Sequence, residues 1–374
     1  MGMRSRSRRA PALMAGGLAL MSLVALVALP AAAAETGGAV FTMSNAAAGN
    51  EVVVYARAAD GSLTHVADYG TEGAGSGGGL GSQGSVRLSD NGDWLLVVNA
   101  GSDEVSVFEV DGTTLELTDT VWSGGDSPIS VDVSGNVVYV LNAGSANIAG
   151  FRLRNDGTLS PIEGAVRALS ASDAAPAQIE FSPDGRTLVV TEKNTNLILA
   201  YRVSASGMVS QAHVSGSAGM TPFGFEFDPA GHLIVSEAFG GAPDASTVSS
   251  YHLGPNRKAE VIEGPVATTE TAACWLVVTD DGQYAYVANA GSASITGYRL
   301  EADGSLTILD DDGVTAVTGA GAIDLALSRQ SEFLYSVGGG SDTISVFRVE
   351  ADGSLSLVQT VTGLPSSSVG LASF

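Results

Sequence analysis

Short apolar runs separated by glycine-containing turns make up most of the chain from Phe41 onward. Runs such as LLVV from Leu95, VVYV from Val137 and ISVF from Ile344 are rich in β-branched and aromatic side chains. Such side chains favour strands, and no long window repeats its apolar positions with the period of a helix. The pattern therefore predicts a protein built of short β-strands, with almost no helix.

The apolar runs belong to a repeat of roughly fifty residues. Its clearest copies read VVNAGSDEVSVFEV from Val97, YVLNAGSANIAGFRL from Tyr139 and YVANAGSASITGYRL from Tyr286. Four diverged copies complete a set of seven, and the positions aligned with the Asn of NAG are Asn45, Asn99, Asn142, Glu192, Glu237, Asn289 and Gly338. The steps between these positions are 54, 43, 50, 45, 52 and 49 residues. This period is typical of a β-propeller blade rather than of a helical solenoid.

Each repeat contains four predicted strands. The copy that starts at Pro176 gives their order as PAQIEF, the turn SPDG, RTLVVTEKN, a linker, LILAYRV, the turn SASG and MVSQAHV. Asp-Gly pairs recur at these turns, where a tight hairpin needs positive φ. We therefore expect an all-β fold, a seven-bladed β-propeller of four-stranded antiparallel blades. The final segment, SVGLASF, has the pattern of a first strand, so the N-terminal and C-terminal strands should pair and close the ring.

The first 34 residues have the features of a secretory signal. Four arginines between Arg4 and Arg9 precede an apolar stretch that ends at Leu29, and the small-residue run PAAAA follows. We expect cleavage after Ala34, by a Sec or Tat route, and a single propeller domain, residues 35–374, secreted from the cytoplasm. No later stretch has the length and apolarity of a membrane span, so no membrane association is expected after cleavage.

The composition is strongly acidic. Lys and Arg number 17 against 40 Asp and Glu, a net charge of −23, and loss of the four leader arginines would make it −27. Such a surface repels nucleic acid and anionic lipid and disfavours phosphorylated substrates. Cys274 is the only cysteine, so no internal disulfide is possible. We expect a monomer, with no cofactor and no metal, because no ligand cluster with metal-binding spacing is visible.

The SPDG turn, the segments YVANAG and GYRLEADGSL and the sevenfold repeat resemble the lactonase-family seven-bladed propellers. That group contains bacterial phosphogluconolactonase and fungal carboxymuconate lactonizing enzyme, and the resemblance covers the whole predicted domain. It implies a propeller that acts on a lactone in its central funnel. Active members, as the resemblance implies, carry Pro-His at the start of early first strands, Pro-Arg-His in a middle blade and Asn-Glu closing that blade's second strand.

This chain departs from the family's functional pattern. Ser85 and Ser130 stand at the expected His positions, and Ala177-Gln178 replaces Arg-His. Glu192-Lys193 replaces Asn-Glu, so a carboxylate survives one residue out of register. The four histidines lie elsewhere in the repeats, and none is placed for catalysis.

First strands line the central funnel of a propeller, so their polar side chains are candidates for a site. Opening a lactone requires a base that takes a proton from water and a group that stabilises the carbonyl oxygen. The predicted catalytic residues are Glu180, Glu192 and Gln178. The predicted substrate-binding residues are Arg87, Asp132, Lys193, Glu226, Glu237, Trp275 and Asp324. The structural alternative is that these groups pair with one another and with backbone groups of the wall, and that Trp275 packs on a neighbouring blade.

Three functions fit these features. The first is a secreted hydrolase of a neutral lactone or ester, with a funnel carboxylate in place of the family's histidine. The second is a catalytically inactive ring that binds a small ligand, a glycan or other surface polymer, or a protein. The third, a muconate lactonizing isomerase, is disfavoured because Ala177 replaces the Arg expected to hold a polyanion, and phosphogluconolactonase is disfavoured for the same reason. The segment Gly73–Gly84 lacks the Lys-Ser/Thr of a phosphate loop and is expected to connect the first two blades and cover the funnel.

Overall fold

The computed structural model describes residues 1–2 and 37–374. Most of the predicted signal sequence, with its cleavage site, lies outside the described residues. From residue 37 to residue 374 the chain forms seven antiparallel sheets in succession, numbered here as blades 1 to 7. The helices in this range are two short 3-10 turns, Phe239–Gly241 and Arg329–Ser331. The predicted all-β, seven-bladed propeller is thereby confirmed, and no helix of the described residues could span a membrane.

The strands are numbered in chain order, and every blade has four strands along its main path. Blade 1 contains β1 (Gly38–Met43), β2 (Glu51–Arg57) and β3 (Leu63–Gly70). Blade 2 contains β4 (Val86–Leu88), β5 (Trp94–Asn99), β6 (Glu104–Asp111) and β7 (Thr114–Trp122). Blade 3 contains β8 (Pro128–Ser134), β9 (Val137–Asn142), β10 (Asn147–Leu153) and β11 (Leu159–Ala168). Blade 4 contains β12 (Pro176–Phe181), β13 (Thr187–Glu192), β14 (Leu197–Arg202) and β15 (His213–Gly216).

The remaining strands continue the same order. Blade 5 contains β16 (Pro222–Phe227), β17 (His232–Glu237), β18 (Thr247–Leu253) and β19 (Ala259–Ala267). Blade 6 contains β20 (Ala273–Val278), β21 (Tyr284–Asn289), β22 (Ser294–Leu300), β23 (Leu306–Ile308) and the two-residue β24 (Ala316–Val317), which pairs with β22. Blade 7 contains β25 (Ala322–Leu327), β26 (Phe333–Gly338), β27 (Thr343–Val349) and β28 (Leu355–Thr362). The last strand is β29 (Val369–Ser373).

The ring is closed by β29, which forms the innermost strand of blade 1. It pairs antiparallel with β1, with Val40 opposite Ser373 and Phe41 opposite Ala372. The backbone N–H of Phe374 donates to the carbonyl of Ala39 at 3.1 Å, which extends the pairing by one residue. The predicted closure between the two ends of the propeller is therefore confirmed. Pairing of this kind removes the exposed edge that an open ring would leave in blade 1.

Neighbouring blades are tied along their outer strands by one recurring type of hydrogen bond. A polar side chain near the outer edge of one blade accepts the backbone N–H at the start of the next blade's outermost strand. The acceptor and donor residues are Asp119 and Leu159 (2.8 Å), Glu263 and Leu306 (2.7 Å), and Gln359 and Leu63 (2.6 Å). These bonds add direction to the apolar packing between blade faces, because an apolar face alone does not fix the rotation of one sheet on another.

The innermost strands share an irregularity that shapes the tunnel. In blades 3 to 7 the register between the innermost strand and its neighbour shifts near the start of the innermost strand. In blade 6, for example, the shift falls between Ala273 and Trp275. A bulge of this kind inserts a residue and redirects the side chains that follow. In the chain, the polar side chains of the tunnel wall come within or after these register shifts.

We predict that deletion of Val369–Phe374 strongly destabilises the propeller, because it leaves β1 with an unpaired inner edge. Loss of a fully paired strand should lower the melting temperature by roughly 10 °C or more. Thermal unfolding followed by circular dichroism at the strand band measures this. As a control, Leu357→Ala on the exposed face of β28 should shift the melting temperature by less than about 2 °C. Equal melting temperatures for the deletion variant and the parent would contradict the closure.

Candidate functional site

The two ends of the tunnel differ, and we name them by the course of the innermost strands. The upper rim is the end at which these strands begin, and the lower rim is the end at which they finish. At the lower rim, short turns containing Asp90 in blade 2 and Asp280 in blade 6 connect the first strand to the second. Both side chains are exposed.

Each innermost strand has one edge with no neighbouring strand, and side chains of the preceding blade satisfy part of it. Asp132 Oδ2 in blade 3 accepts the N–H of Phe181 in blade 4 at 2.7 Å. Glu226 Oε2 in blade 5 accepts the N–H of Val278 in blade 6 at 3.0 Å. These bonds explain why acidic residues recur at one repeat position, since an unpaired buried N–H would be unfavourable.

Gln178 has the same structural role between blades 4 and 5. Its side-chain Oε1 accepts the N–H of Phe225 at 2.8 Å, and its Nε2 donates to the carbonyl of Phe225 at 2.8 Å. The same Nε2 donates to Glu180 Oε2 at 2.7 Å. Because Gln178 is buried and all its polar atoms are engaged with the wall, it orients Glu180 rather than facing a ligand.

Arg87 of blade 2 is the cation of the tunnel wall. Its Nε lies 2.8 Å from Asp132 Oδ1, and its Nη2 lies 3.7 Å from Glu180 Oε2. Burial alone would lower the pKa of Arg87, but Asp132, Glu180 and Glu226 together raise it, so the guanidinium stays charged. Burial also raises the pKa of Asp132 and, more strongly, that of Glu180, against the opposing effect of Arg87. The expected structural alternative, an ion network along the wall, therefore describes these three residues.

A cavity of about 240 Å³ opens toward the lower rim. Of the predicted site residues, Arg87, Glu226 and Asp324 line it. Its walls include the apolar side chains of Val86, Val277, Leu325 and Leu371, and Gln83 lies at its upper end. A third of the Arg87 side chain is accessible to solvent even though protein surrounds it, because solvent reaches it through this cavity. The cavity has room for roughly eight water molecules, or for one small organic ligand.

Two carboxyl groups of the cavity have strongly perturbed pKa values. Burial raises the pKa of Glu226 from 4.5 to about 7, and Arg87 offsets only part of that effect. Burial also raises the pKa of Asp324 from 3.8 to about 7, against the lowering effects of the Leu325 N–H and of Arg87. Asp324 has a φ of 75°, a conformation that a residue other than glycine seldom adopts. Groups that titrate near neutrality inside a cleft are suited to proton transfer.

The upper rim is closed by the chain itself. We call residues Leu80–Gly84, the end of the glycine-rich segment, the plug. Gln83 lies just before blade 2, yet its side chain pairs with the backbone of Leu276 in blade 6, with Oε1 accepting at 2.9 Å and Nε2 donating at 2.7 Å. Its backbone N–H donates to the carbonyl of Ala177 in blade 4 at 3.0 Å. The plug therefore crosses the tunnel from one side of the ring to the other.

Further bonds hold the plug in place. Ser82 Oγ donates to the carbonyl of Ile129 at 2.8 Å. Trp275 Nε1 donates to the carbonyl of Ser82 at 2.8 Å, and Lys193 Nζ donates to the carbonyl of Gly81 at 2.5 Å. Trp275 is 6% exposed and packs on the Phe223 ring at a centroid distance of 5.0 Å, so it does not offer a free face to a ligand. Burial lowers the pKa of Lys193, which also lies over the Phe223 ring.

The plug lies against the positions at which the family resemblance places catalytic residues. The carbonyl of Gly84 accepts the N–H of Val131, and an added Cβ at Gly84 would lie 3.0 Å from Ser130 Oγ. Gly84 has a φ of +78°, so glycine meets both the backbone and the space requirement there. With the bonds to Ala177 and Lys193, the plug contacts three of the four altered family positions. It fills the upper rim that would otherwise be the mouth of the funnel.

Glu192, at the end of β13, is engaged by loop groups, and Glu237, at the end of β17, is engaged by groups of a loop and of strand β18. Glu192 accepts bonds from the N–H and hydroxyl of Ser170 and from Thr195 Oγ1 at 2.6 Å. Glu237 accepts from the N–H of Gly219 at 2.8 Å and from four hydroxyls, those of Ser217, Thr247, Ser249 and Tyr251. Both side chains are fully buried, and neither lines the tunnel cavity. Their geometry suits the anchoring of loops, the structural role weighed against catalysis for them.

The sequence predicted that the segment Gly73–Gly84 covers the funnel, but it did not indicate which of its residues make the contacts, nor the acidic groups of the lower rim. Gln83 and Ser82 follow a glycine-rich stretch with no strand pattern, so only that stretch signalled a special connection. Asp90 and Asp280 belong to turns that repeat in every blade, and nothing distinguishes them before the ring is built. Within residues 37–374, no three His, Cys, Asp or Glu side chains are arranged to hold a metal ion.

Comparison with known proteins assigns the family. A family model described as Lactonase, 7-bladed beta-propeller, matches residues 48–174 and 166–238, together about half of the chain. The chain belongs to this lactonase family of seven-bladed propellers. No curated protein matches the sequence.

Solved structures share the fold over nearly the whole propeller. A candidate 6-phosphogluconolactonase from Bacteroides fragilis matches with a TM-score of 0.73 and 18% identity, covering 91% of this chain and 98% of its own. The periplasmic gluconolactonase of Pseudomonas aeruginosa matches with a TM-score of 0.70 and 18% identity, covering 90% of this chain and 98% of its own. A protein from Lactobacillus plantarum matches with a TM-score of 0.72 and 19% identity, covering 90% and 99%. At such identities these likenesses show the fold alone.

We predict that Gln83→Ala loosens the plug and exposes Cys274, the sole cysteine, which is buried beside Trp275. Two buried hydrogen bonds of about 1 kcal/mol each are lost, so labelling of the native protein by a thiol reagent should accelerate at least about tenfold. Gln359→Ala is a matched control, because Gln359 pairs with both backbone groups of Leu63 on the outer side of the ring. Equal labelling rates in the two variants would show that Cys274 reacts only through global unfolding.

We predict that the free energy of unfolding decreases as the pH rises from about 4 to about 7. Asp324 and Glu226 have higher pKa values in the folded protein than in the unfolded chain, so the folded state binds more protons in that interval. Asp324→Asn should reduce the difference in stability between pH 5 and pH 8 by on the order of 2 kcal/mol. Urea unfolding at the two pH values measures it, with the exposed Asp311→Asn as control. An unchanged difference in Asp324→Asn would contradict the prediction.

Proposed function

We propose that this protein is an exported hydrolase of small, non-anionic lactones, and that the reaction takes place in the tunnel cavity at the lower rim. The observation that carries the proposal is the carboxyl of Glu226, which lines the cavity near Arg87 and whose pKa is raised to about 7 by burial. A base with such a pKa is half-ionised at neutral pH and still accepts a proton readily.

In the proposed mechanism, Glu226 and Arg87 divide the chemistry. Glu226 takes a proton from a water molecule while the water oxygen forms a bond to the lactone carbonyl carbon. Arg87 stabilises the negative charge that develops on the carbonyl oxygen. The ring C–O bond then breaks, and the departing alkoxide takes the proton from Glu226. The net reaction consumes one lactone and one water and yields one hydroxy acid.

The charge of the cavity limits the substrate to neutral or cationic lactones. Glu226, Asp324, Asp90 and Asp280 line the cavity with Arg87 as the opposing cation, so anionic lactones are repelled. Phosphogluconolactone and muconate therefore fit poorly, as expected from the sequence. The hydroxy acid product is an anion at neutral pH, and the same charges favour its release.

The proposed base, Glu226, differs from the residues that the sequence predicted as catalytic. Glu180 is buried against Gln178 and Arg87 and does not line the cavity, and Glu192 is engaged by Ser170 and Thr195. Glu226 instead has one oxygen bonded to the N–H of Val278 and part of its side chain open to the cavity. The family relationship supports a lactone as the substrate class.

The plug favours a second candidate function, that of a catalytically inactive ring that binds a ligand. It fills the upper rim, and the family's His and Arg positions hold Ser85, Ser130 and Ala177-Gln178. In this case a glycan, another surface polymer or a protein would contact the outer face of the ring, and no lactone would be turned over.

We predict that purified protein hydrolyses neutral five- and six-membered lactones, and that Glu226→Gln lowers kcat by at least about 100-fold. In the parent protein kcat/KM should rise with pH and reach half its maximum near pH 7, because only ionised Glu226 accepts the proton. Release of acid into a weakly buffered indicator solution measures the rate.

Glu260→Gln, an exposed carboxyl on β19, is the matched control and should keep the parent rate. Full activity in Glu226→Gln would exclude Glu226 as the base. No turnover of any lactone, together with binding of a surface polymer, would favour the inactive ring.

A further inference from the structure

Carboxyl groups outnumber cations in the interior of the tunnel. Asp132, Glu180, Glu226 and Asp324 all interact electrostatically with the guanidinium of Arg87. Arg87 contacts Asp132 and Glu180 directly, and these contacts use its charge for the wall of blades 2 to 4. Glu226 and Asp324 lie on the cavity side, where Arg87 lowers their pKa values, but within residues 37–374 no cation forms an ion pair with either of them. Uncompensated negative charge in a protein interior is strongly unfavourable.

Asp324 gives a second and independent sign of a missing partner. It is 3% exposed, and its Oδ1 accepts the N–H of Leu325 at 3.0 Å. Its Oδ2 accepts no hydrogen bond from the described residues. The backbone N–H groups of Leu371 and Gly370, on β29, also lower the pKa of this carboxyl, but neither meets hydrogen-bond geometry at Oδ2. A buried carboxyl oxygen without a donor calls for a ligand that supplies one.

The ligand that would complete this site is constrained by charge and by geometry. Among the described residues no three His, Cys, Asp or Glu side chains are arranged to hold a metal ion. An anion would be repelled, and a neutral hydroxyl would donate a hydrogen bond without compensating the charge. A primary ammonium group supplies one positive charge and three donors.

We propose that the tunnel cavity binds a small organic cation, with a protonated primary amine at the carboxyl groups of Asp324 and Glu226. The apolar side chains of Val86, Val277 and Leu371 give a short aliphatic chain a surface to pack on, and the cavity of about 240 Å³ limits the ligand to a small molecule. This inference rests on the proposed location of the site in the tunnel, and it does not depend on hydrolysis. If the protein is a lactonase, its substrate class is then an amine-bearing lactone.

The experiment compares three isosteric probes by isothermal titration calorimetry of the purified protein: n-butylammonium chloride, n-butanol and sodium butyrate. We expect n-butylammonium to bind at least about tenfold more tightly than the other two. Asp324→Asn and Glu226→Gln should each weaken its binding at least tenfold, because each removes one carboxylate and keeps the shape of the side chain. Two separate variants are used so that a folding defect in one of them does not decide the result.

Asp311→Asn, which removes an exposed carboxylate distant from the cavity, is the matched control for general attraction of cations to an acidic protein. Equal binding of the three probes, or equal loss of binding in Asp311→Asn and Asp324→Asn, would overturn the inference. Lactone turnover without ammonium binding would also overturn it and would leave the proposed function standing. Ammonium binding without turnover of any lactone would support the inference and count against the hydrolase.

Discussion

The unpaired inner edge of each blade is the constraint on which the rest of this tunnel depends. A four-stranded blade in a ring has neighbours on both faces, but its innermost strand has no further strand to pair with. This protein satisfies part of that edge with side chains from the preceding blade, as Asp132 does for Phe181 and Glu226 for Val278. Acidic residues are effective acceptors for a backbone N–H, so solving the edge problem brings negative charge into the interior. The pKa values of the tunnel follow from that choice.

The same constraint links architecture to chemistry. Where an acidic group is matched by Arg87, as in blades 3 and 4, the result is an ion network along the wall. Where Arg87 acts only at a distance, as at Asp324, burial prevails and the result is a group that titrates near neutrality. The outer side of the ring uses uncharged backbone donors with single acceptors such as Asp119, and these bonds fix one blade on the next without bringing charge inward. Thus the outer hydrogen bonds hold blades together, whereas the groups that titrate near neutrality lie close to the axis of the ring.

The fold could be predicted from the sequence because its determinants are local and repeated. The seven copies of one phrase, two turn signals in each copy and a first-strand pattern at the end of the chain are sufficient for a closed seven-bladed ring. Alignment of the repeats also predicted that Arg87, Glu226 and Asp324 lie in the tunnel. The division of roles could not be predicted, because it depends on partners far apart in the chain. Gln83 pairs with Leu276, 193 positions away, and Glu237 accepts hydrogen bonds from hydroxyls that become its neighbours only when β18 pairs with β17.

The plug gives the propeller a feature that a through-tunnel lacks. Because Gln83 lies across the upper end of the tunnel, a ligand enters the cavity and leaves it through the same opening at the lower rim. A cavity of about 240 Å³ has room for one small organic ligand with water around it. One ligand must therefore leave before the next can enter, and its departure limits how soon the cavity is refilled.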